Sequence, residues 1–460
     1  MLRRTMLSSV RSFVLGALAL TALGCSRSEP QKEQAPAASA SVVTAPSASV
    51  AEVAPAPPPA PTPARPYNVV LIMIDALRAD MPWTGYPRDI APWLTAFEKR
   101  VTSYPRGYSL SSYTAKSVLP ALAGNYPSAL KRDGYFFTKW MPENVLVTEM
   151  LQQAGHRTMA GNGHGYFLPQ VGGLNQGFDD YRLLKGTFLD NTGVHDVNSD
   201  KLNALGKELL SDPKNVSQEN GKRFFAYFHY LDPHYSYHKH PESPDFGNKP
   251  RDVYDNEVHF TDRWVGDFVD WIGSQPFGEQ TAVIITADHG EGFGEHNHYR
   301  HAYELWESLV RVPLFIYVPG APPSRIELPR SHIDLAPTIA DLMGIAPDPS
   351  WPGKSLVPEI FGQKEPEARP VIVDLPRCDL MDRRRALIDG DYKLLAFGDD
   401  RSFQLYNVKE DFKEERDLVK VEPERFEAMK KRYLELSEAI PNVPIVGYAP
   451  LKGAPKGRGW

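Results

Sequence analysis

Cysteine is almost absent from this chain. Only two occur in 460 residues, Cys25 and Cys378. With Cys25 acylated, as described below, no intramolecular disulfide is available, and stability must come from a buried core. No histidine-rich sequence surrounds Cys378, which reads as a bystander rather than a nucleophile. Excess positive charge is lacking too: 51 Lys and Arg against 57 Asp and Glu give a formal charge of −6. Without a long basic stripe, a nucleic-acid partner is excluded. Also missing are internal repeats and an apolar run long enough to span a bilayer; the run over 13–24 is too short.

That run does fit a secretory signal peptide, because Arg3, Arg4 and Arg11 make the start basic. It ends in Ala22-Leu23-Gly24-Cys25, which resembles a bacterial lipobox with Ala22 in place of the usual Leu. The expected arrangement is a signal over 1–24, then an acylated Cys25 opening a tether over 25–66. The tether is rich in Ala, Pro, Ser and Val and cannot bury enough apolar surface to offset its ordering entropy. A lipid-anchored protein of the bacterial cell envelope follows as an expectation, facing the periplasm or in the outer membrane. The folded part divides into a large domain over 67–350 and a smaller one over 351–460.

Two apolar runs in the large domain end abruptly in acids. One covers 68–74 and stops at Asp75; the other covers 282–285 and leads to Asp288-His289-Gly290-Glu291. Near-continuous apolar runs of this length predict strands buried on both faces of a parallel sheet. Ligand sites of such sheets lie at the carboxyl ends of the strands. An Asp beside a His suits a divalent metal. Further buried strands are predicted at 156–160, 224–230 and 310–318. Helices are predicted at 91–101, 145–155, 252–272 and about 302–308, with another after a strand end within 331–344, capped by Asp334. The fold class is α/β: a large mixed, mostly parallel central sheet flanked by helices. After about residue 351, short strands at 371–374, 385–388, 392–397 and 403–408, with an Asp389-Gly390 hairpin turn, precede a charged amphipathic helix at 422–439. They predict a small C-terminal α+β subdomain. The segment 441–460 is too rich in Pro and Gly to assign.

Hydroxyls cluster at Ser109, Ser111, Ser112 and Thr114, just before a helical pattern that ends at Gly124. A helix N-terminus presents free N–H groups to an anionic ester, and a hydroxyl there can be activated by a metal. Histidines crowd two other stretches: His229, His234, His238 and His240, then His296, His298 and His301.

These motifs fall in the order found in the sulfatase-like branch of the alkaline phosphatase superfamily, which the chain resembles. The resemblance rests on Ile74-Asp75-Ala76-Leu77-Arg78, the stretch from Thr114 to Ala123-Gly124, Asp232-Pro233-His234, and Asp288-His289-Gly290-Glu291 with Gly294-Glu295-His296. It continues through Arg311-Val312-Pro313-Leu314, Asp334-Leu335-Ala336-Pro337-Thr338 and Tyr392-Lys393 with Leu405-Tyr406. It implies an alkaline phosphatase-like sheet and a metal-dependent ester hydrolase. Family sulfatases carry a Cys or Ser that becomes formylglycine, followed by a Pro and an Arg. Counting back from Gly124, this chain has Thr114 at that position, with Lys116 and Val118 at the other two. Thr cannot become an aldehyde. Asn162 stands where a Lys is usual, and Ala76 replaces an acid. These departures point to the Thr-nucleophile members that resemble phosphoethanolamine and phosphoglycerol transferases.

The expected function is therefore hydrolysis or transfer of phosphate esters through Thr114. Sulfuric ester hydrolysis is the alternative, with a rival register placing Ser112 at the modified position; a non-catalytic binding lipoprotein is the remaining one. The expected metal ligands are Asp75, Thr114, Asp288 and His289, holding zinc or manganese, or else calcium or magnesium. His234 and His301 are expected as leaving-group acids or ligands of a second metal, His164 as a substrate contact, and Lys116 as an anion partner. The substrate would be a phosphate or sulfate ester, of a lipid or a glycan.

Overall fold

The computed structural model describes residues 66–187 and 198–447. The leader and tether expected over 1–66 fall almost wholly outside these residues, as does the end of the C-terminal tail. Among the described residues no helix is long and apolar enough to cross a membrane.

Strand Asn68–Ile74 is buried at every position and forms the middle of an eight-stranded sheet. It pairs in parallel with Phe224–Tyr230 on one side and Thr281–Ala287 on the other. Arg157–Asn162 and Asp180–Leu183 extend the parallel arrangement beyond Phe224–Tyr230. Leu314–Tyr317 joins Thr281–Ala287 antiparallel, and the short strands Thr102–Ser103 and Ser324–Arg325 complete that edge. The sheet is thus mixed and mostly parallel, as expected.

Alternation along the central strand feeds two cores. Val69, Leu71 and Met73 pack into one, with helices Thr114–Ala123, Val147–Gln153 and Leu335–Leu342. Val70, Ile72 and Ile74 pack into the other, with Pro92–Glu98, Ser199–Ser211 and Pro250–Ser274. Each fully buried aliphatic side chain contributes about 1.5–3 kcal/mol. Both faces need cover, so these strands contain almost no polar residues. Gly124 ends helix Thr114–Ala123 at φ +62, where a Cβ would come within 2.8 Å of the Trp351 ring. The backbone and the neighbour both require glycine there.

Several predicted boundaries change. The strand expected over 310–318 breaks at Pro313 into Arg311–Val312, paired with Gly107–Tyr108, and Leu314–Tyr317. A Pro offers no N–H to a ladder. The helix expected at 302–308 is a single turn, Glu307–Val310, because Ala302 and Tyr303 take positive φ values. Asp334 does not cap its helix through its side chain. It pairs bidentately with Arg369 and accepts the Lys354 N–H at 2.8 Å. Strand Asp180–Leu183 and helix Ser199–Ser211 were not foreseen.

The C-terminal subdomain is a four-stranded antiparallel meander, Val371–Leu375, Arg384–Asp389, Tyr392–Phe397 and Ser402–Asn407, backed by helix Pro423–Glu438. Gly390 turns the predicted hairpin at φ 58. The subdomain meets the large domain through Lys393, whose Nζ lies 3.1 Å from Glu307 Oε1 and 2.9 Å from Glu414 Oε1, all three side chains buried.

Candidate functional site

The register of the central strands brings the expected ligands together. Ile74 stands opposite Ala287 and Tyr230. Asp75 and Asp288-His289 therefore emerge side by side from the same sheet edge. Thr114, the first residue of its helix, points its hydroxyl into the gap. Oγ1 is 3.2 Å from His289 Nε2 and donates to Asp75 Oδ2 at 3.4 Å. His289 Nε2 lies 3.3 Å from Asp75 Oδ1 and 3.4 Å from Asp288 Oδ2. Asp75, Asp288 and His289 are wholly buried and Thr114 nearly so.

The surrounding groups orient these side chains for a cation. Asp288 Oδ1 accepts the backbone N–H of His289 at 3.0 Å and of Ala76 at 3.3 Å. The second contact needs the left-handed backbone of Ala76, at φ 58, a locally costly conformation of the kind found at functional sites. His289 Nδ1–H donates to the Gly290 carbonyl at 2.8 Å, which leaves Nε2 to face inward. His229 Nε2–H donates to Asp75 Oδ2 at 3.0 Å while its Nδ1 accepts from the Tyr227 hydroxyl at 2.8 Å. One oxygen of each carboxylate, Asp75 Oδ1 and Asp288 Oδ2, is left buried without a hydrogen bond. Buried acceptors of this kind call for a partner. Asp75, Asp288 and His289 also hold their donor atoms within 4.8 Å of one another. The donor set thus fits a divalent metal.

The electrostatics agree with that reading. Burial opposes the Asp75 charge, but the facing His234, the hydrogen bond from His229 and the nearby His289 ring hold its pKa well below the usual range. Burial and the Asp75 charge push Asp288 up. His289 is raised to about 9: burial lowers it, but the charges of Asp288 and of Asp75 beside it prevail. In the metal-free protein His289 is therefore protonated at neutral pH and must shed that proton to coordinate. Zinc affinity should rise up to about tenfold per pH unit below 9, with about one proton released per ion at pH 7. Calorimetry in buffers of different ionisation enthalpy measures this; pH-independent affinity would remove His289 from the ligand set.

Beside this cluster lies a second group. Glu291, fully buried, accepts the Tyr237 hydroxyl at 2.8 Å and meets His301 Nδ1 at 3.2 Å. The His301 ring lies 4.3 Å from that of His289 and 4.9 Å from that of His234. His164 sits 5.5 Å from His234, ring to ring. Its Nδ1 accepts the Tyr166 N–H at 2.9 Å, leaving Nε2–H as a donor, and burial lowers its pKa to about 3. Burial also lowers His234.

Lys116 does not join the site, contrary to expectation. Two residues along a helix amount to about 200° of rotation. Its ammonium accordingly donates to Thr138 and lies over the Trp140 ring at 5.5 Å. Burial lowers its pKa to about 7. The rival register is also set aside: Thr114, not Ser112, faces the ligands, and Ser112 Oγ is buried with no hydrogen-bond partner. The sequence had assigned no role to Glu291, His229, Tyr237 or Asn162. Asn162 stands opposite His229 in the register and has both amide atoms buried and unbonded. The signals were an acid three residues after Asp288, an aromatic-flanked His inside an apolar strand, and Asn162 at a position where a Lys is usual.

The Sulfatase family model matches residues 67–345 of this chain. The model described as N-sulphoglucosamine sulphohydrolase, C-terminal, matches residues 294–439. A Delta 4,5-hexuronate-2-O-sulfatase from Bacteroides thetaiotaomicron is 29% identical over 154 residues, 32% of this chain and 32% of that protein. The matched stretch spans a third or less of the curated relatives first found. A structure solved in complex with its substrate D-glucosamine-2-N,6-O-disulfate superposes with a TM-score of 0.66 at 15% identity, covering 82% of this chain and 99% of the other. A phosphonate monoester hydrolase from Silicibacter pomeroyi gives 0.63 at 18% identity, covering 82% and 96%. These structures share the fold. The expectation of a phosphate-ester hydrolase or transferase is overturned by the matching family model and by the sulfatase names of the curated relatives; the alternative, a sulfuric ester hydrolase, is the better reading.

Proposed function

Because the chain belongs to the sulfatase family, we propose that it hydrolyses sulfuric esters of carbohydrates. The observation that carries this reading is the convergence of Asp75, Asp288, His289 and the Thr114 hydroxyl at one sheet edge. A divalent metal held by Asp75, Asp288 and His289, zinc or manganese by the mix of oxygen and imidazole donors, would lower the pKa of an adjacent hydroxyl. Thr114 Oγ1 attacks sulfur, with its proton directed toward Asp75 Oδ2. The bond from sulfur to the leaving oxygen breaks. His301, held by Glu291, protonates that oxygen. Water then attacks sulfur and gives its proton to His301; the bond from sulfur to Thr114 Oγ1 breaks, and that oxygen takes back its proton from Asp75 Oδ2. His164 Nε2–H, His234 and the Asn162 amide line the sulfate oxygens as neutral donors.

A carbohydrate is favoured by the aromatic surface next to the site. Phe137, 64% exposed, packs edge-on against Phe136, which stacks on Tyr113 immediately before Thr114. Such faces accept the apolar side of a sugar ring. The lipid-anchored envelope location expected from Cys25 fits a substrate presented outside the cytoplasm.

The test is a panel on purified protein with defined metals: p-nitrophenyl sulfate, sulfated disaccharides, and phosphate mono- and diesters. Sulfate esters should turn over fastest; faster turnover of any phosphate ester would reject the reading. Within the panel, His301→Ala should lower kcat on a disaccharide sulfate by about 10²–10⁴-fold and far less on p-nitrophenyl sulfate. The latter's leaving group needs little protonation. Equal losses on both would show that His301 is not the acid.

A further inference from the structure

A second set of possible ligands lies outside the reaction site. Asp232 follows strand Phe224–Tyr230, His240 lies farther along the same loop, and Glu257 projects from helix Pro250–Ser274. Each offers a donor atom within 4.8 Å of the other two. Glu257 is 1% exposed. Its Oε1 accepts the His238 N–H at 2.7 Å, but Oε2 is buried with no hydrogen-bond partner. Burial and the facing Asp232 disfavour its charge. Among the described residues, no Lys or Arg forms an ion pair with either carboxylate. A buried, unpaired carboxylate facing another is costly unless a cation sits between them.

The three side chains are also fixed in place. Asp232 Oδ2 accepts the N–H and the hydroxyl of Ser199, at 2.9 and 2.7 Å. The His240 ring lies flat on Phe260 with centroids 3.6 Å apart, and its backbone N–H donates to Asn256 Oδ1 at 2.7 Å. One imidazole with two carboxylates is a ligand set that zinc and manganese accept.

We propose that Asp232, His240 and Glu257 form a second divalent-cation site, of zinc or manganese type, which pins the loop over 231–240 to the helix Pro250–Ser274. That loop carries His234 and Tyr237, so the ion would act as a positioning element for the reaction site. The site shares no residue with the ligands Asp75, Asp288 and His289 and does not depend on which ester is the substrate.

Zinc titration tests it, in protein whose first site has been removed by Asp75→Asn and Asp288→Asn. That double variant should still bind one zinc per chain and melt at a higher temperature with zinc than with EDTA. Adding Glu257→Gln should abolish both effects. Should Glu257→Gln fail to fold, His240→Ala serves in its place with the same expected loss. Absence of binding by the double variant would overturn the proposal, as would zinc binding that survives the loss of Glu257 or His240.

Discussion

Thr114→Ala should lose at least about 10³-fold in turnover of any sulfuric ester, because the group proposed to form the bond to sulfur is gone. The protein should nevertheless fold and take up metal, since Asp75, Asp288 and His289 are positioned by adjacent strands and not by Thr114. Thr114→Ser should recover most of the activity, because it restores an alcohol at the same atom. Steady-state kinetics, metal analysis and mass spectrometry of acid-quenched wild-type enzyme give three separate readings. The last should find a sulfated peptide containing Thr114. Undiminished turnover by the Ala variant would mean that attack comes from elsewhere, and the assignment of Thr114 would have to be abandoned.

The largest effect on stability is expected at Lys393→Met. Lys393 sits between Glu307 and Glu414, and Tyr108 donates to Glu307 Oε2 at 3.1 Å. Removing this ammonium leaves two buried carboxylates facing each other, with only the Arg311 guanidinium 3.9 Å from Glu307 Oε2 in reach, at a cost of about 3–5 kcal/mol. Burial and the Glu307 charge already push Glu414 up to about 7. A carboxyl whose folded pKa is raised costs stability as pH climbs above its unfolded value. The Lys393→Met loss should therefore be larger at pH 8 than at pH 6, where Glu414 can take up a proton. Adding Glu307→Gln and Glu414→Gln should recover part of it. Urea denaturation at the two pH values measures all of this. A variant as stable as wild type would mean that water reaches the group.

Much of this architecture was legible in the sequence, for a definite reason. The strands at 68–74 and 224–230, and the one around 282–285, are covered on both faces, so their apolar runs are nearly unbroken and end where the site begins. Counting back from Gly124 reaches Thr114 through one helix, ended by a glycine whose positive φ and Trp351 neighbour disfavour a side chain. What escaped depends on rotation and return. Lys116 looked like an anion partner because it is close to Thr114 in sequence, but the helix turns it to the far side. The Glu291–His301 pair arises because Gly292–Phe293 and Tyr299–Arg300 fold back as a hairpin, and no local pattern announced that pairing. Asp334 looked like a cap because the residue type fits, yet a distant Arg369 claims it. The substrate assignment missed for a different reason. One substituted position weighed more heavily in the sequence than the family likeness of the whole chain.

Ala76, in its left-handed conformation, ties the end of one ligand-bearing strand to the carboxylate at the end of the next. The side chains that would hold an ion are therefore fixed by the ends of the strands, whatever residue opens the neighbouring helix. With that separation, residue 114 can be changed without dismantling the support beside it.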